Sequence, residues 1–147
     1  MRKIVFDLDG TLADNKHRTH LAEAKMWREY FAACDKDIPI EPVIKLLLRL
    51  WYAGEDVEIW SARSDEVLEQ TVVWLRNTIG HSATERIPLK MRKAGDYRGD
   101  EVVKKEWLDE LRAKGGDIEM VFDDRNKIVA MWRANGVPCF QVAEGNF

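Results

Sequence analysis

Short apolar runs alternate with amphipathic helical segments along this chain, and that alternation limits the fold more than any other feature. An apolar run at residues 4–6 comes first, and apolar residues at helical spacing follow between 43 and 51. A glycine follows most of the helical segments, as expected where a helix ends. Strands that alternate with helices favour an α/β fold, with a parallel sheet and helices on both faces. The five predicted strands lie at residues 4–6, 57–60, 87–91, 118–122 and 138–142.

The length of 147 residues and the hydrophobic content of 46% fit one domain with a real core. We predict a single domain over residues 1–147, with a short helical insert at about 14–37 after the first strand. No Gly-x4-Gly-Lys-Ser/Thr motif occurs, so a P-loop kinase domain is not expected.

Composition gives little direct indication of a partner. The net charge of -3 does not by itself indicate nucleic acid or a membrane surface, and no apolar run approaches transmembrane length. The chain enters its first strand at once, which predicts no signal peptide. Cys34 and Cys139 are far apart and follow no metal-binding pattern, which favours a reduced, cytoplasmic protein.

Polar side chains follow three of the predicted strands, at the point where each strand ends. Parallel strands place their carboxyl ends at one edge of the sheet, so these segments should meet there. Alternate residues of an extended chain face the same way, so Asp7 and Asp9 can point at one spot. Two such carboxylates repel, and a hard divalent cation is the simplest counter-charge. The polar residues at the three strand ends are Asp7, Asp9, Ser61, Arg63, Asp123 and Asp124.

These residues resemble the motifs of a known superfamily. Asp7-Leu8-Asp9-Gly10-Thr11 resembles the first motif of the haloacid dehalogenase (HAD) superfamily. Ser61, Lys104 and the pair Asp123-Asp124 resemble its second, third and fourth motifs. The resemblance implies a Rossmann-like HAD fold with a central five-stranded parallel sheet and a small or absent cap. Segments 61–63, 95–104, 123–125, 131–133 and 141–147 are similar to the 3′-phosphatase domain of bacteriophage-type polynucleotide kinase/phosphatase.

The resemblance implies a function in nucleic acid repair. The expected activity is a Mg²⁺-dependent phosphomonoesterase that removes a terminal 3′-phosphate through an aspartyl-phosphate intermediate. The substrate would be a 3′-phosphorylated DNA or RNA end, or a nucleoside 3′-phosphate. A small or absent cap suits a bulky polynucleotide end. A separate kinase or ligase is left open as a partner, and no membrane partner is expected.

The same resemblance implies roles for the acidic residues and the lysine. Mg²⁺ would be held by Asp7, by the backbone carbonyl of Asp9 and by Asp124. Asp7 would attack phosphorus, and Asp9 would protonate the leaving oxygen and then deprotonate water. Lys104 would neutralise Asp7 and the phosphate, and Asp123 would orient Lys104 or a water molecule.

Substrate contacts are expected from a serine and two arginines. Ser61 would donate a hydrogen bond to a phosphoryl oxygen. Arg63 and Arg18 would contact the phosphate or the adjoining nucleotide through their planar guanidinium groups. Arg18 is matched only by its distance from Asp9. The roles of Arg92 and Arg98 stay open, because the segment before Lys104 departs in length from the resembled domain.

Two other functions remain compatible with the residues. One is a phosphatase of the same scaffold that acts on mononucleotides or another small phosphomonoester. The other is a non-catalytic phospho-acceptor or binding module, which has no need of an acid/base at Asp9. Most of the six tryptophans fall at apolar helix positions, which favours the core over base stacking, whereas Trp60 directly precedes Ser61.

Overall fold

A computed structural model describes residues 2–147. Five parallel strands form the central sheet in the spatial order β5-β4-β1-β6-β7, and β2 and β3 form a separate antiparallel ribbon. The α/β fold and the five-stranded parallel sheet predicted from the sequence are confirmed. The strands are β1 (Arg2–Phe6), β2 (Ala13–Asp14), β3 (Ile38–Pro39), β4 (Val57–Ser64), β5 (Leu89–Arg92), β6 (Asp117–Asp123) and β7 (Cys139–Gln141).

Four long helices and three short ones connect the strands. The long helices lie where apolar spacing predicts them, whereas the short helix after Gly80 has too few turns to show a periodic pattern. No helix within residues 2–147 is long and apolar enough to cross a membrane. The helices are α1 (Thr19–Glu23), α2 (Trp27–Ala32), α3 (Glu41–Tyr52), α4 (Leu68–Ile79), α5 (His81–Arg86), α6 (Asp100–Ala113) and α7 (Asn126–Ala134).

The central strand β1 contributes to two separate cores because successive side chains of a strand point to opposite faces. Ile4 and Phe6 pack on one face with buried residues of α3 and α4. Val5 packs on the other face with buried residues of α6 and α7. With both faces covered, the polar residues at the strand ends are what the sheet presents at its carboxyl edge.

The strand register brings the predicted polar residues together. Phe6 pairs with Ile59 on β4 and with Phe122 on β6. The residues that follow each partner therefore lie side by side at the carboxyl edge. The backbone amide of Asp7 donates to the carbonyl of Phe122 over 2.9 Å, which fixes the end of β1 against β6.

The segment between β1 and α3 forms an insert, residues 13–39. The ribbon of β2 and β3 closes its base, with Ala13 paired to Pro39. Inside the insert, α1 and α2 are short helices flanked by single 3₁₀ turns. Lys25 separates the two helices with φ +58°, a left-handed conformation that rarely continues a helix. The predicted helical insert is thus two short helices around a tight turn.

Candidate active site

Three carboxylates form a buried cluster at the carboxyl edge of the sheet. Asp7 follows β1, Asp123 ends β6 and Asp124 comes next in the chain. All three residues are buried, and one carboxylate oxygen from each lies within 4.8 Å of the others. The structure thus brings together residues that are more than a hundred positions apart in the sequence.

Lys104 supplies positive charge to this cluster. It lies in the second turn of α6 and is buried, although lysine on a helix is usually solvated. Its Nζ donates to Asp7 Oδ1 over 2.7 Å and to Asp123 Oδ2 over 3.2 Å. We call Asp7, Asp123, Asp124 and Lys104 the acidic half of the site, because three carboxylates face one ammonium group.

Burial and the excess of negative charge raise the proton affinity of two carboxylates in the acidic half. Burial, together with the nearby charge of Asp123, raises the pKa of Asp7 well above its usual range despite the contact with Lys104. The same two causes raise the pKa of Asp124 to about 6. Burial alone would lower the pKa of Lys104, but Asp123 and Asp7 outweigh it and keep the ammonium charged. Additional positive charge would therefore stabilise the ionised carboxylates.

The acidic half fits a small hard cation. Oxygen ligands from carboxylates are the donor set that Mg²⁺ prefers. Thr11 Oγ1 lies 3.3 Å from Asp7 Oδ2 and 3.4 Å from Asp124 Oδ1, but its single proton can serve only one of them. Gly10 has φ +82°, and a Cβ there would lie 2.1 Å from Asp124 Oδ2, so only glycine allows this close approach.

A second cluster, built around two arginines, lies beside the first. Asp9 Oδ1 accepts from Arg18 over 2.6 Å and from the Nη2 of Arg63 over 2.7 Å. Asp37 Oδ2 also accepts from both guanidinium groups, over 2.7 and 2.9 Å. We call Asp9, Asp37, Arg18 and Arg63 the arginine half of the site. Its two positive and two negative charges balance.

The arginines are held by groups behind them. The side chains of Arg18, Arg63 and Asp37 are fully buried, whereas 21% of the Asp9 side chain is exposed. Thr71, in α4, accepts a hydrogen bond at its Oγ1 from Arg63 Nη1 over 3.0 Å, which fixes the orientation of the Arg63 guanidinium. Asp37 is thus the interior partner of both guanidinium groups, and Asp9 is the partner that faces the opening.

The arginines hold the Asp9 carboxylate in its ionised form. Burial would raise the pKa of Asp9, but the charges of Arg63 and Arg18 outweigh it and lower the pKa. Asp7 and Asp9 are therefore shifted in opposite directions. A phosphate group, which carries about two negative charges, can replace Asp9 as the partner of the arginines and leave Asp9 free to exchange a proton.

Ser61 lies where the sequence predicts, in β4 next to the end of β1. It is buried, and its Oγ accepts from the backbone amide of Arg63 over 3.2 Å. The hydroxyl proton is not used in that contact and can be donated. The Arg63 amide therefore orients Ser61 while the Arg63 side chain faces Asp9.

Asp37 is the main site residue that sequence reasoning missed, because an aspartate after a helical segment is typical of a helix end. The only signal for it is indirect, since a buried pair of arginines needs carboxylate partners. His17, which resembles a surface histidine in the sequence, has its Nε2 2.7 Å from Asp37 Oδ1. Trp74 Nε1 donates to the Asp37 carbonyl over 2.7 Å.

Arg92 holds the loop before α6 in place through hydrogen bonds. It is buried and donates to the carbonyls of Ala62 and Asp96, over 2.9 and 3.0 Å, and to the Asp100 carboxylate. Arg98 instead is exposed and pairs with Asp96 and Glu106. Ion pairs and hydrogen bonds of Arg92 and Arg98 therefore hold the loop that precedes Lys104 in place.

The C-terminal segment holds the backbone of Asp124. Gln141 Nε2 donates to the Asp124 carbonyl over 2.9 Å, and the amide of Asn126 donates to the Gly145 carbonyl over 2.8 Å. A Cβ at Gly145 would lie 2.0 Å from the Asp124 carbonyl oxygen, so the segment packs directly on this loop. Helix α7 begins at Asn126, and no aspartate side chain caps it, although Asp123 Oδ1 accepts from the amides of Asp124 and Arg125.

Comparison with solved structures finds the same fold in several proteins. A chain of the solved Pnkp1/Rnl/Hen1 complex is 32% identical, with a TM-score of 0.81 over 100% of this chain and 48% of that chain. A chain of the Pnkp1/Rnl/Hen1 RNA repair complex is 31% identical, with a TM-score of 0.81 over 100% of this chain and 44% of that one. This chain therefore spans less than half the length of either.

More distant structures share the fold. CbbY from Rhodobacter sphaeroides, solved with phosphate, is 14% identical, with a TM-score of 0.65 over 100% of this chain and 87% of that chain. The class C acid phosphatase from Bacillus anthracis, solved with tungstate, is 22% identical, with a TM-score of 0.63 over 86% of this chain and 53% of that chain.

The Rossmann-like sheet and the acidic strand ends define a domain of the HAD phosphatase class. The model of the polynucleotide kinase PNKP phosphatase domain, a HAD-type family, matches residues 1–147. The chain belongs to this family.

Proposed function

We propose that this chain is a Mg²⁺-dependent phosphomonoesterase that removes the 3′-phosphate from a polynucleotide end through an aspartyl-phosphate on Asp7. One observation carries the proposal. Asp7 lies in a carboxylate cluster beside a buried lysine, while Asp9, two residues on, faces a pair of buried arginines. This arrangement supports a nucleophile at Asp7, a cation site beside it and a phosphate-binding pair of arginines at one edge of the sheet.

In the first half of the reaction the phosphoryl group moves to the protein. An Oδ of Asp7 attacks phosphorus as the bond between phosphorus and the sugar 3′ oxygen breaks. Asp9, in its protonated form, gives its proton to that departing oxygen. Lys104 balances charge on Asp7 and the phosphoryl oxygens, and Ser61 donates a hydrogen bond to one of those oxygens.

In the second half, water releases the phosphate. Asp9 takes a proton from the attacking water, the bond between Asp7 and phosphorus breaks, and inorganic phosphate leaves. Arg63 and Arg18 hold the phosphoryl oxygens throughout, because a planar guanidinium matches an oxyanion in two-point contact. Bound Mg²⁺, held by Asp7, the Asp9 carbonyl and Asp124, would supply positive charge against the phosphate.

Family membership and the small size of the insert support the polynucleotide substrate. The matched model describes a phosphatase domain of polynucleotide kinase. The insert is only two short helices, which is too small to form a large cap over a bulky substrate. The expected product is a 3′-hydroxyl end, so a separate kinase or ligase is the natural partner activity. Buried, free Cys34 and Cys139 suit a reducing compartment such as the cytoplasm.

One comparison tests the proposed function. A single oligonucleotide is prepared with a phosphate at its 3′ end or at its 5′ end, as DNA and as RNA, and phosphate release is measured with Mg²⁺ and with EDTA. We expect release from the 3′ end in Mg²⁺ only. Faster hydrolysis of nucleoside 3′-phosphates or of a simple phosphomonoester than of the oligonucleotide would favour a small-molecule phosphatase and contradict the proposal.

A further inference from the structure

Helix α2 carries an aromatic cluster, which we call the aromatic platform: the exposed Trp27 and the half-buried Tyr30 and Phe31. The ring of Trp27 meets that of Tyr30 edge-on at 6.0 Å between centroids and lies 6.5 Å from that of Phe31. Trp27 is 52% exposed, and Met26 beside it is exposed too. The other five tryptophans are buried or half-buried, as their apolar spacing predicts. Trp27 is therefore the exception to the expected core role.

The aromatic platform is continuous with the arginine half of the site. The Arg18 guanidinium lies 4.3 Å from the centroid of the Tyr30 ring, and its Nη1 donates to the Tyr30 carbonyl over 3.2 Å. The other end of the same guanidinium contacts Asp9 over 2.6 Å. Asn15 Nδ2 donates to the Tyr30 hydroxyl over 2.9 Å. A phosphate held by Arg18 would therefore be separated from Tyr30 only by the Arg18 guanidinium. Trp27 packs on Tyr30, so the platform begins next to the proposed phosphate position.

The platform is held in place before any substrate arrives. Lys25 follows α1 in a left-handed conformation, and the Met26 amide then donates to the Leu21 carbonyl over 2.8 Å. This tight turn places Trp27 at the first position of α2. Because Asn15 and Arg18 hold Tyr30, the ring against which Trp27 packs is fixed without a ligand.

We propose that Trp27 is the stacking surface for a nucleobase at the phosphate-bearing end of the polynucleotide. The proposal rests on the proposed function and deepens it. Every base has an aromatic face, so stacking on tryptophan binds single-stranded nucleic acid with little sequence preference. Arg18 would then link the two parts of one substrate, with the phosphate at its guanidinium and the base on the platform. A small phosphomonoester without a ring gains nothing from this surface.

The experiment compares Trp27→Ala and Trp27→Phe with the parent chain. Tyr52→Ala is the matched control, because Tyr52 is an exposed aromatic at the far end of α3, which leads into the opposite edge of the sheet. The substrates are a 3′-phosphorylated oligonucleotide, the same oligonucleotide with its two terminal nucleotides abasic, and glycerol 2-phosphate.

We expect Trp27→Ala to raise KM for the base-bearing oligonucleotide about tenfold, with kcat little changed. Trp27→Phe should recover most of the loss, and Tyr52→Ala should have no effect. On the abasic oligonucleotide and on glycerol 2-phosphate, the parent chain and Trp27→Ala should agree within about twofold. Thermal unfolding of each variant checks that the fold is retained.

Two results would overturn the stacking role. An unchanged KM in Trp27→Ala on the base-bearing end would mean that the surface serves something else, such as a protein partner. An equal loss on all three substrates would mean that Trp27 acts by holding Arg18. Failure of the proposed function is separate, because the parent chain itself would then release no phosphate from the oligonucleotide.

Discussion

Asp7 and Asp9 are two residues apart on one strand end, yet their carboxylates lie in opposite electrostatic surroundings. Asp7 belongs to the acidic half, where three carboxylates share the charge of Lys104. The pKa of Asp7 is raised there. Asp9 belongs to the arginine half, where two guanidinium groups lower its pKa. The acidic half carries excess negative charge, with three carboxylates against one ammonium group, whereas the charges of the arginine half balance without a ligand.

The difference supports our proposal that each half binds a different ligand. A cluster with excess negative charge is stabilised by a cation. A balanced cluster gains a ligand only by exchange, so an anion must replace one of its carboxylates. Asp37 is buried behind the arginines, but Asp9 is partly exposed, so we propose that Asp9 is the carboxylate that an incoming phosphate displaces. In this proposal, the exchange releases Asp9 for proton transfer when substrate is present.

The two halves also have different structural origins. The carboxylates of the acidic half stand at the ends of neighbouring sheet strands, where main-chain hydrogen bonds set their positions. The arginine half depends on the insert, which supplies Arg18 and Asp37. The insert consists of short helices and a two-residue ribbon, so we expect it to open more readily than the sheet.

The largest effect is expected from Asp7→Asn, which removes the proposed nucleophile of the acidic half. We expect kcat to fall roughly 10⁴-fold or more, because an amide oxygen does not replace a carboxylate in covalent catalysis. Phosphate release from a 3′-phosphorylated oligonucleotide measures it, with the surface variant Asp109→Asn as control. Residual hydrolysis near the parent rate would refute the assignment of Asp7.

Arg63→Ala tests whether the arginine half binds the phosphate itself. We expect kcat/KM to fall about 10²-fold, equally on a 3′-phosphorylated oligonucleotide and on p-nitrophenyl phosphate, because the lost contacts are charge-assisted. Asp37 would also lose a buried partner, so the free energy of unfolding should fall by about 3 kcal/mol. Arg98→Ala, at an exposed arginine, is the control. A loss on the oligonucleotide alone would assign Arg63 to the nucleotide instead.

Magnesium should stabilise the acidic half and, with it, the fold. At a Mg²⁺ concentration of 100 times Kd, the free energy of unfolding should rise by about 2.7 kcal/mol. Asp124→Asn should remove this dependence without lowering the stability measured in EDTA, because it relieves repulsion among the carboxylates. Thermal unfolding across a Mg²⁺ titration provides the measurement. Equal responses of the parent and Asp124→Asn would exclude Asp124 as a ligand.

The smallest effect concerns the two thiols, one near each half. Burial raises the pKa of Cys34, and burial with Asp123 raises that of Cys139 to about 12, so both should resist alkylation in the native protein at pH 8. On mild destabilisation with urea, Cys34 should react before Cys139, because the insert opens first. Peptide mass spectrometry after timed alkylation separates them, and earlier reaction of Cys139 would reverse the proposed order of opening.

The sheet and its acidic edge could be predicted from the sequence because they depend on local patterns. The run before Asp7 and the run before Asp123 are short, apolar and bounded by polar residues, and parallel pairing then forces their ends together. Lys104 was found only through resemblance, since a lysine on a helix gives no sign of burial. The roles of all these residues stay predictions.

The arginine half could not be predicted to the same extent because it depends on the path of the insert. Nothing near Asp37 in the sequence indicates that it meets Arg18 and Arg63, which lie 19 and 26 residues away. For Trp27 the sequence is misleading in the other direction. Its apolar neighbours predict a core position, but the side chain is exposed. In a helix of six residues the surroundings, and not the spacing, decide which side is covered.

The division of labour between Asp7 and Asp9 is tested most directly by pre-steady-state turnover of p-nitrophenyl phosphate by Asp9→Asn. p-Nitrophenolate leaves without needing a proton, so the first half of the reaction should survive and the second should stall. We predict a burst of one nitrophenolate per protein molecule, then slow turnover, with the phosphoryl group on Asp7 in peptide mass spectrometry. No burst, or a phosphoryl group on Asp124 or another residue, would contradict the account.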